Sequence, residues 1–386
     1  MEIMGFCQGE PYDPLTWSGS NRETFLALRN RGILRDVVDV EVKGLRRYLG
    51  AIREYSPNKK VWKQNFLKSP YQFEVRTRTA AEYLDAMDPP PDAVLQIGAM
   101  FDATALHRHI PRYCYLDSNC ALSARGGEQS FSFHASEHHK RLAFERERAI
   151  YHRSDGIFVF SNFLRQSMIR DFGVAPERVH TVYAGVNLPI PPVDMDARKE
   201  PTILFIGKDF ARKGGPLLLE AFARVNRVIP DAKLIIAGAT PAVRQANVEI
   251  VGFIDKNTPD GEARLAALYK RAAVFTMPSH FEPFGIVYAE AMHFGLPCVG
   301  VNHYAIPEIV QDQVTGLVVP PNDVDQLASA LIYILRNPNV ARRMGLEGKR
   351  RAEQFFRWDM VAEKMEAVIQ HNMQHIKDKA CLRVAS

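Results

Sequence analysis

The sequence predicts an α/β protein of two doubly wound domains facing a central cleft, and three observations predict it. The chain has 386 residues, more than one core usually serves, since domains cluster near roughly 100 to 200 residues. Short apolar runs alternate with helical stretches along both halves. Those runs are near continuous rather than alternately apolar and polar, the mark of strands buried on both faces of a parallel sheet.

In the first half, "EIMGFC" (2–7), "DVVDVEV" (36–42), "AVLQIG" (93–98), "RYCYL" (112–116), "GIFVFS" (156–161) and "VHTVYAGV" (179–186) read as strands. "NRETFLALRNRG" (21–32), "RTAAEYLDAM" (78–87) and "SEHHKRLAFERERAIYHR" (136–153) read as helices between them. The second half repeats the rhythm more cleanly. Its strands are "PTILFIG", "AKLIIAG", "VEIVGF", "AVFTMPS", "PCVGV" and "TGLVV", and its helices are "PLLLEAFARVNRVIP", "EARLAALYKRAA", "GIVYAEAMHFG" and "DVDQLASALIYILRNP". Gly295 stands where the third of these helices should end. Between the halves, "NLPIPPVDMDARKE" (187–200) is rich in Pro and charge and reads as an extended linker. The predicted organisation is an N-terminal domain over 1–186, that linker, a C-terminal domain over 201–356, and a helix over 357–386 that packs back on the first domain.

Composition places the chain among ordinary globular proteins, with 46% hydrophobic and 24% charged residues. Cys7, Cys114, Cys120, Cys298 and Cys381 are odd in number and scattered, which fits a reducing compartment. The start "MEIMGFCQGEPYD" has no basic, apolar leader pattern, and no run nears the ~20 apolar residues of a spanning helix. A cytoplasmic location is expected, with no nucleic-acid partner. The net charge of +5 is concentrated between Arg22 and Arg78, where Trp62 and Phe66 interleave with the cations. That stretch reads either as a face for an anionic membrane or acidic acceptor, or as plain solvated surface.

Ligands of open α/β sheets bind beyond the carboxyl ends of strands, so the loops there carry the candidates. In "HFEPFGIVYAEAMHFG" a loop opens a helix, and the amides of Phe284, Gly285 and Ile286 stand at the positive end of its dipole, a site for phosphate. Glu290 shares a mostly apolar face with Val287, Ala291 and Phe294, and a carboxylate there needs partners such as two ribose hydroxyls. Glu282 sits in the loop before the helix. In "FIGKDFARKGG", Arg212 and Lys213 precede another helix start, which an anion of more than one charge would stabilise. Taken singly, each of these residues also reads as a cap or a surface charge.

In series, "EPFGIVYAEAMHFGLPCVG", "GKDFARKGG", "SNFLRQSMIRDFGVAPERVHTVYAGVN" and "AIPEIVQDQVTGLVVPPNDVDQLASAL" resemble the retaining nucleotide-sugar glycosyltransferases of the GT-B fold, in particular glycosyltransferase family 4. The resemblance covers roughly 161–331 well and the N-terminal part loosely. It implies two Rossmann-like domains and transfer of a sugar from a UDP-, GDP- or ADP-linked donor to a glycan, glycolipid or small-molecule acceptor hydroxyl, without metal or other cofactor. It implies that Glu290 binds the ribose, that Phe284, Gly285 and Ile286 meet the phosphates and sugar through their amides, and that Glu282 contacts the donor sugar. Arg212 and Lys213 would neutralise the leaving diphosphate, with Lys208 a rival for the arginine's place.

For the N-terminal domain the resemblance implies a glycine-bearing loop after the first strand, for which Gly9 and Gly19 are candidates on the donor side. It also implies a polar cleft residue, for which Asp117 stands where the family often has His. Asp117 reads either as orienting the acceptor or as capping a turn, and Ser20 or Asn21 as a plain helix cap beside Gly19. The histidines at 107, 109, 134, 138 and 139 lack metal-ligand spacing. The "DMD" at 194–196 and the "DVD" at 323–325 copy a metal motif by chance, and capping explains the second. Rival functions are a sugar-nucleotide epimerase, a phosphorylase and a non-catalytic subunit that binds a nucleotide sugar.

Overall fold

The computed structural model describes the whole chain except residues 131–133, 193, 195–199 and 385–386, and leaves out the side chains of 129, 376, 377 and 379–384. Two compact units result, Met1–Tyr183 with Trp358–Ser386, and Ala184–Arg357. The stretch expected as a linker begins after that division, and much of it, Asp196 included, lies outside the described residues.

In the first unit, β1 (Ile3–Cys7), β2 (Leu34–Asp39), β3 (Ala93–Ile97), β4 (Arg112–Leu116), β5 (Gly156–Val159) and β6 (Val179–Thr181) form a parallel sheet in the order β2-β1-β3-β4-β5-β6. The helices are α1 (Ser20–Asn30), α2 (Gly44–Arg53), α3 (Lys59–Lys68), α4 (Pro70–Asp85), α5 (Cys120–Arg125), α6 (Glu137–Arg153) and α7 (Asn162–Phe172). Every residue of β1, β3, β4 and β5 is buried, as both-face coverage of a parallel sheet requires. One core joins Cys114, Leu116, Ile157 and Val159 to Ile150 of α6 and Leu164, Met168 and Phe172 of α7. Another joins Met4, Phe6 and Val94 to Ala80 and Leu84 of α4. Each such Leu or Phe contributes about 1.5–3 kcal/mol on burial.

Several boundaries differ from the sequence reading, each for a local reason. Strand β2 ends at Asp39, three residues early, because the Asp39 carboxylate turns to accept from the amides of Gly9 and Glu41, both at 2.8 Å. Strand β6 stops at Thr181 because Tyr183 takes a φ of +65° and leaves the ladder. Helix α4 starts eight residues earlier than read, where Ser69 caps the Gln72 amide at 3.2 Å and Pro70 presets the first turn. Helices α2 and α3, capped by Asn58 in the second case, occupy what the sequence showed only as a run of charge.

In the second unit, β7 (Thr202–Ile206), β8 (Lys233–Ala237), β9 (Val248–Gly252), β10 (Val274–Thr276), β11 (Cys298–Val301) and β12 (Gly316–Val319) form a parallel sheet in the order β12-β11-β10-β7-β8-β9. The six expected strands are all present. Helices α8 (Gly215–Val228), α9 (Pro259–Arg271), α10 (Ile286–His293), α11 (Ile306–Ile309), α12 (Val324–Arg336) and α13 (Pro338–Phe355) connect them, and α14 (Trp358–Val384) follows as part of the first unit. Winding begins at β7, proceeds to β9, then returns to the other side of β7 with β10. That reversal brings the loops after β7 and β10 side by side at the sheet's carboxyl edge, where open α/β sheets bind their ligands.

Candidate functional site

The loops that follow β7 and β10 are locked together. Gly214 caps the start of α8 with a φ of +76°, and a Cβ there would lie 1.9 Å from the Pro278 carbonyl oxygen. Only glycine therefore lets the two loops cross. The His280 amide donates to the Arg212 carbonyl at 3.0 Å. The Arg212 guanidinium donates back to the Phe281 carbonyl at 2.9 Å and reaches the Asp209 carboxylate at 3.3 Å. Beside it, the Lys213 ammonium pairs with the Glu282 carboxylate, the two side chains being 14% and 12% exposed. Burial, and then the neighbouring Arg212, push the Lys213 ammonium pKa down to about 7, against the Asp209 carboxylate, which raises it. Lys208 points elsewhere, over the Phe253 ring at 5.1 Å.

Glu282 leads straight into α10. Gly285 is its N-cap, with a φ of +98° and no side chain capping the first turn. A Cβ at Gly285 would come within 3.3 Å of the Glu282 side chain, so the ion pair lies against the helix start. Phe284 stands one residue before the cap, and its ring packs on Phe356, so the first-turn amides are those of Gly285, Ile286 and Val287. Tyr288 anchors this turn, donating its hydroxyl to the Met277 carbonyl at 2.8 Å and accepting from the Met277 amide at 3.2 Å. At the other end, Gly295 at φ +69° closes the helix, with the Leu296 amide returning to the Ala291 carbonyl at 3.0 Å.

Glu290 is 3% exposed, as its place on a mostly apolar helix face led one to expect. Its Oε2 accepts from the Tyr269 hydroxyl at 2.8 Å. The Tyr269 ring stacks on Phe294, 4.8 Å between centroids, so one aromatic from α9 lies along two successive turns of α10. Burial, and then the Glu290 charge, raise the Tyr269 pKa well above the ordinary tyrosine value, which keeps the hydroxyl a donor. Sequence reasoning missed Tyr269. The available signal was a tyrosine four residues after Leu265 on the apolar face of α9, where a buried hydroxyl needs a partner.

The N-terminal candidates lie in the first unit. Gly9 has a φ of +88° and donates to Asp39. Gly19, at φ +91°, is itself the N-cap of α1, so neither Ser20 nor Asn21 caps that helix by a side chain, and both lie inside it. Asp117, just past β4, accepts from the Trp17 indole at 3.1 Å, and the Trp17 ring packs against Tyr115 and Phe160. Burial raises the Asp117 pKa, against the Trp17 bond and two backbone amides that lower it. Trp17 sits at a φ of +48°, a strained position for a bulky residue, and sequence reasoning did not single it out.

Other motifs resolve into structural roles. Asp323 caps α12 through the Gln326 amide at 2.9 Å. His139 is held between Ser136 and Glu54. Among the described residues, no three His, Cys, Asp or Glu side chains are grouped to hold a metal ion.

Comparison with known proteins bears on the family. The family described as Glycosyl transferases group 1 matches residues 195–351, and Glycosyltransferase Family 4 matches 70–189. An MMP alpha-(1->4)-mannosyltransferase of Mycolicibacterium hassiacum is 30% identical over 249 residues, 63% of this chain and 58% of that protein. An alpha-maltose-1-phosphate synthase of Mycolicibacterium smegmatis is 28% identical over 251 residues, 56% of this chain and 63% of that protein. The matches thus span less than two thirds of those relatives' length. Among solved structures, a sucrose-phosphate synthase from Thermosynechococcus elongatus superposes with a TM-score of 0.69 at 21% identity, over 96% of this chain and 99% of that one. Anabaena Alr3699/HepE, solved with UDP and glucose, gives 0.64 at 15% identity, over 96% and 99%. Two parallel six-stranded sheets and these superpositions make the chain a protein of the GT-B fold, and its residues 195–351 match the glycosyl transferases group 1 family.

Proposed function

We propose that this protein transfers a sugar from a nucleoside diphosphate sugar to an acceptor hydroxyl, with retention at the anomeric carbon and without a metal ion. The observation that carries the reading is the convergence of Arg212, Lys213 and Glu282 on the uncapped start of α10, at the reversal of the second sheet. Departure of the diphosphate builds negative charge. Fixed donors aimed at that charge stabilise it without reorganising, each worth about 3–4 kcal/mol, and Arg212, Lys213 and the amides of Gly285 and Ile286 are such donors. The two cations take the part a divalent ion plays in other transferases. Glu290, already oriented by Tyr269, offers a carboxylate for the two ribose hydroxyls, and Glu282 offers one for the donor sugar. The exposed Phe253, in "VGFIDKN" at the carboxyl end of β9, is a surface for the base. Names of the relatives, a mannosyltransferase and a maltose-1-phosphate synthase, support glycosyl transfer as the class.

The test is a thermal-shift screen of the protein and of Glu290→Ala against UDP, GDP, ADP and their common sugars. A ligand that binds only the folded protein adds about 2.7 kcal/mol of stability at a hundredfold excess over its Kd. The expected result is one nucleotide that stabilises the wild type and not the variant, followed by transfer activity that survives EDTA. Stabilisation by none refutes the donor site, and activity lost to EDTA and restored by Mg²⁺ or Mn²⁺ refutes metal independence.

A further inference from the structure

Helix α2 turns its apolar side outward. Leu45, Tyr48, Leu49 and Ile52 recur at the spacing of a single helical stripe, and Tyr55 extends it one turn past the helix. Leu45 is 73% exposed and Ile52 71%, with Tyr48 and Tyr55 close behind. The only buried residue of the helix is Gly50, which at about 100° per residue falls on the side away from that stripe. Packing against the rest of the unit therefore cannot be the stripe's purpose. Among the described residues, the other exposed large apolar side chains, such as Leu15, Leu106 and Val228, stand far apart in the sequence, and scattered singles of that kind need no explanation.

Charge tells what covers the stripe. From Lys43 to Lys68 the chain carries eight cations and one acid, Glu54, which is taken by His139. Lys43, Arg46, Arg47, Arg53, Lys59 and Lys63 are all exposed on α2, α3 and the turns beside them. An apolar stripe bordered by cations, on a helix lying across the surface, matches an anionic bilayer, whose headgroups meet the cations while its acyl boundary takes the Leu and Ile side chains. A protein partner or a second copy would need an acidic surface against this one, and α2 offers no acid to a copy of itself.

We propose that α2, with the cations of α3, docks this protein on an anionic lipid surface. The proposal goes beyond the donor-site reading and does not rest on it, because lipid binding needs no nucleotide and its failure leaves that site untouched. The test is flotation of the full chain with vesicles of phosphatidylcholine alone and of phosphatidylcholine mixed with phosphatidylglycerol, at low and high salt. The wild type should float with the anionic vesicles only and release as salt shortens the Debye length from about 10 Å at 0.1 M to about 3 Å at 1 M. Leu45→Asp and Ile52→Asp, at exposed positions that leave the melting temperature unchanged, should each weaken anionic binding about tenfold or more, since each withdraws a full apolar side chain from the lipid. Absence of anionic binding overturns the proposal. So does anionic binding that both variants retain, and so does a wild-type dimer that either variant converts to monomer, which would make a second copy the occupant.

Discussion

The ion pair between Lys213 and Glu282 lets stability and activity be separated in one set of variants. Its side chains are 14% and 12% exposed, so either charge left alone would be largely desolvated. Removing one partner of a fully buried pair costs about 3–5 kcal/mol, and the residual exposure here brings the expected cost of Lys213→Ala or Glu282→Ala to about 2–3 kcal/mol. For a unit the size of Ala184–Arg357, each kcal/mol moves Tm by about 2–4 °C, so each single variant should lose roughly 4–12 °C. The double variant strands no charge and should lose less than the sum of the singles, by about 2 kcal/mol. Calorimetry of the four proteins reads this directly, and a double variant equal to the sum within about 0.5 kcal/mol would refute a coupled pair. In transfer assays run below the lower Tm, Lys213→Ala should cost roughly 10² to 10³ in rate. A rate within a few-fold of wild type would leave the lysine a purely structural partner of Glu282.

Four further variants extend the test, three in the second unit and one in the first. Tyr269→Phe removes the hydrogen bond that the Tyr269 hydroxyl of α9 donates to Glu290 and should cost about 1.5–3 kcal/mol, the range for a bond to a charged group, while shrinking any nucleotide-induced thermal shift. Gly214→Ala meets the Pro278 carbonyl, whereas Gly252→Ala at the similar φ of +75° meets only Thr240 Oγ1 at 3.4 Å. The second should cost about 1–2 kcal/mol for its backbone conformation and the first about 1–3 kcal/mol more, measured as Tm of the second unit. In the first unit, burial raises the Glu147 pKa despite bonds from the Cys120 amide and the Tyr151 hydroxyl. The folded state then holds this proton more tightly than the unfolded chain, so the contribution is fully present below the unfolded value of about 4.3 and is lost as pH rises through the folded one. Glu147→Gln should flatten the dependence of Tm on pH above that value, and an unchanged slope would assign the dependence to another group.

What the sequence showed and what it hid divide along one physical line. Strands such as β3 and β11 were legible because burial on both faces leaves an unbroken apolar run. The candidate residues of the second unit were legible because helix starts and strand ends are local events, written within a dozen residues. Helix α2 was read only as part of a cationic stretch, because its apolar stripe faces outward and its cations dominate the composition, so a reading that equates apolar with core finds no helix there. The partners were illegible for a different reason. Tyr269 lies 21 residues from Glu290, Lys213 lies 69 from Glu282, and Trp17 lies 100 from Asp117. No spacing rule reaches that far. Lys213 and Glu282 meet because β10 pairs with β7 rather than with β9, a choice that the continuous apolar runs of β7, β9 and β10 do not encode individually. That pairing places the cationic loop after β7 against the uncapped helix after β10, and Gly214 is the residue that permits the approach. The chemistry of the site therefore depends on strand order first and on side-chain identity second, which is why substituting Gly214, a residue with no functional group, is expected to disturb the pair as surely as substituting the pair itself.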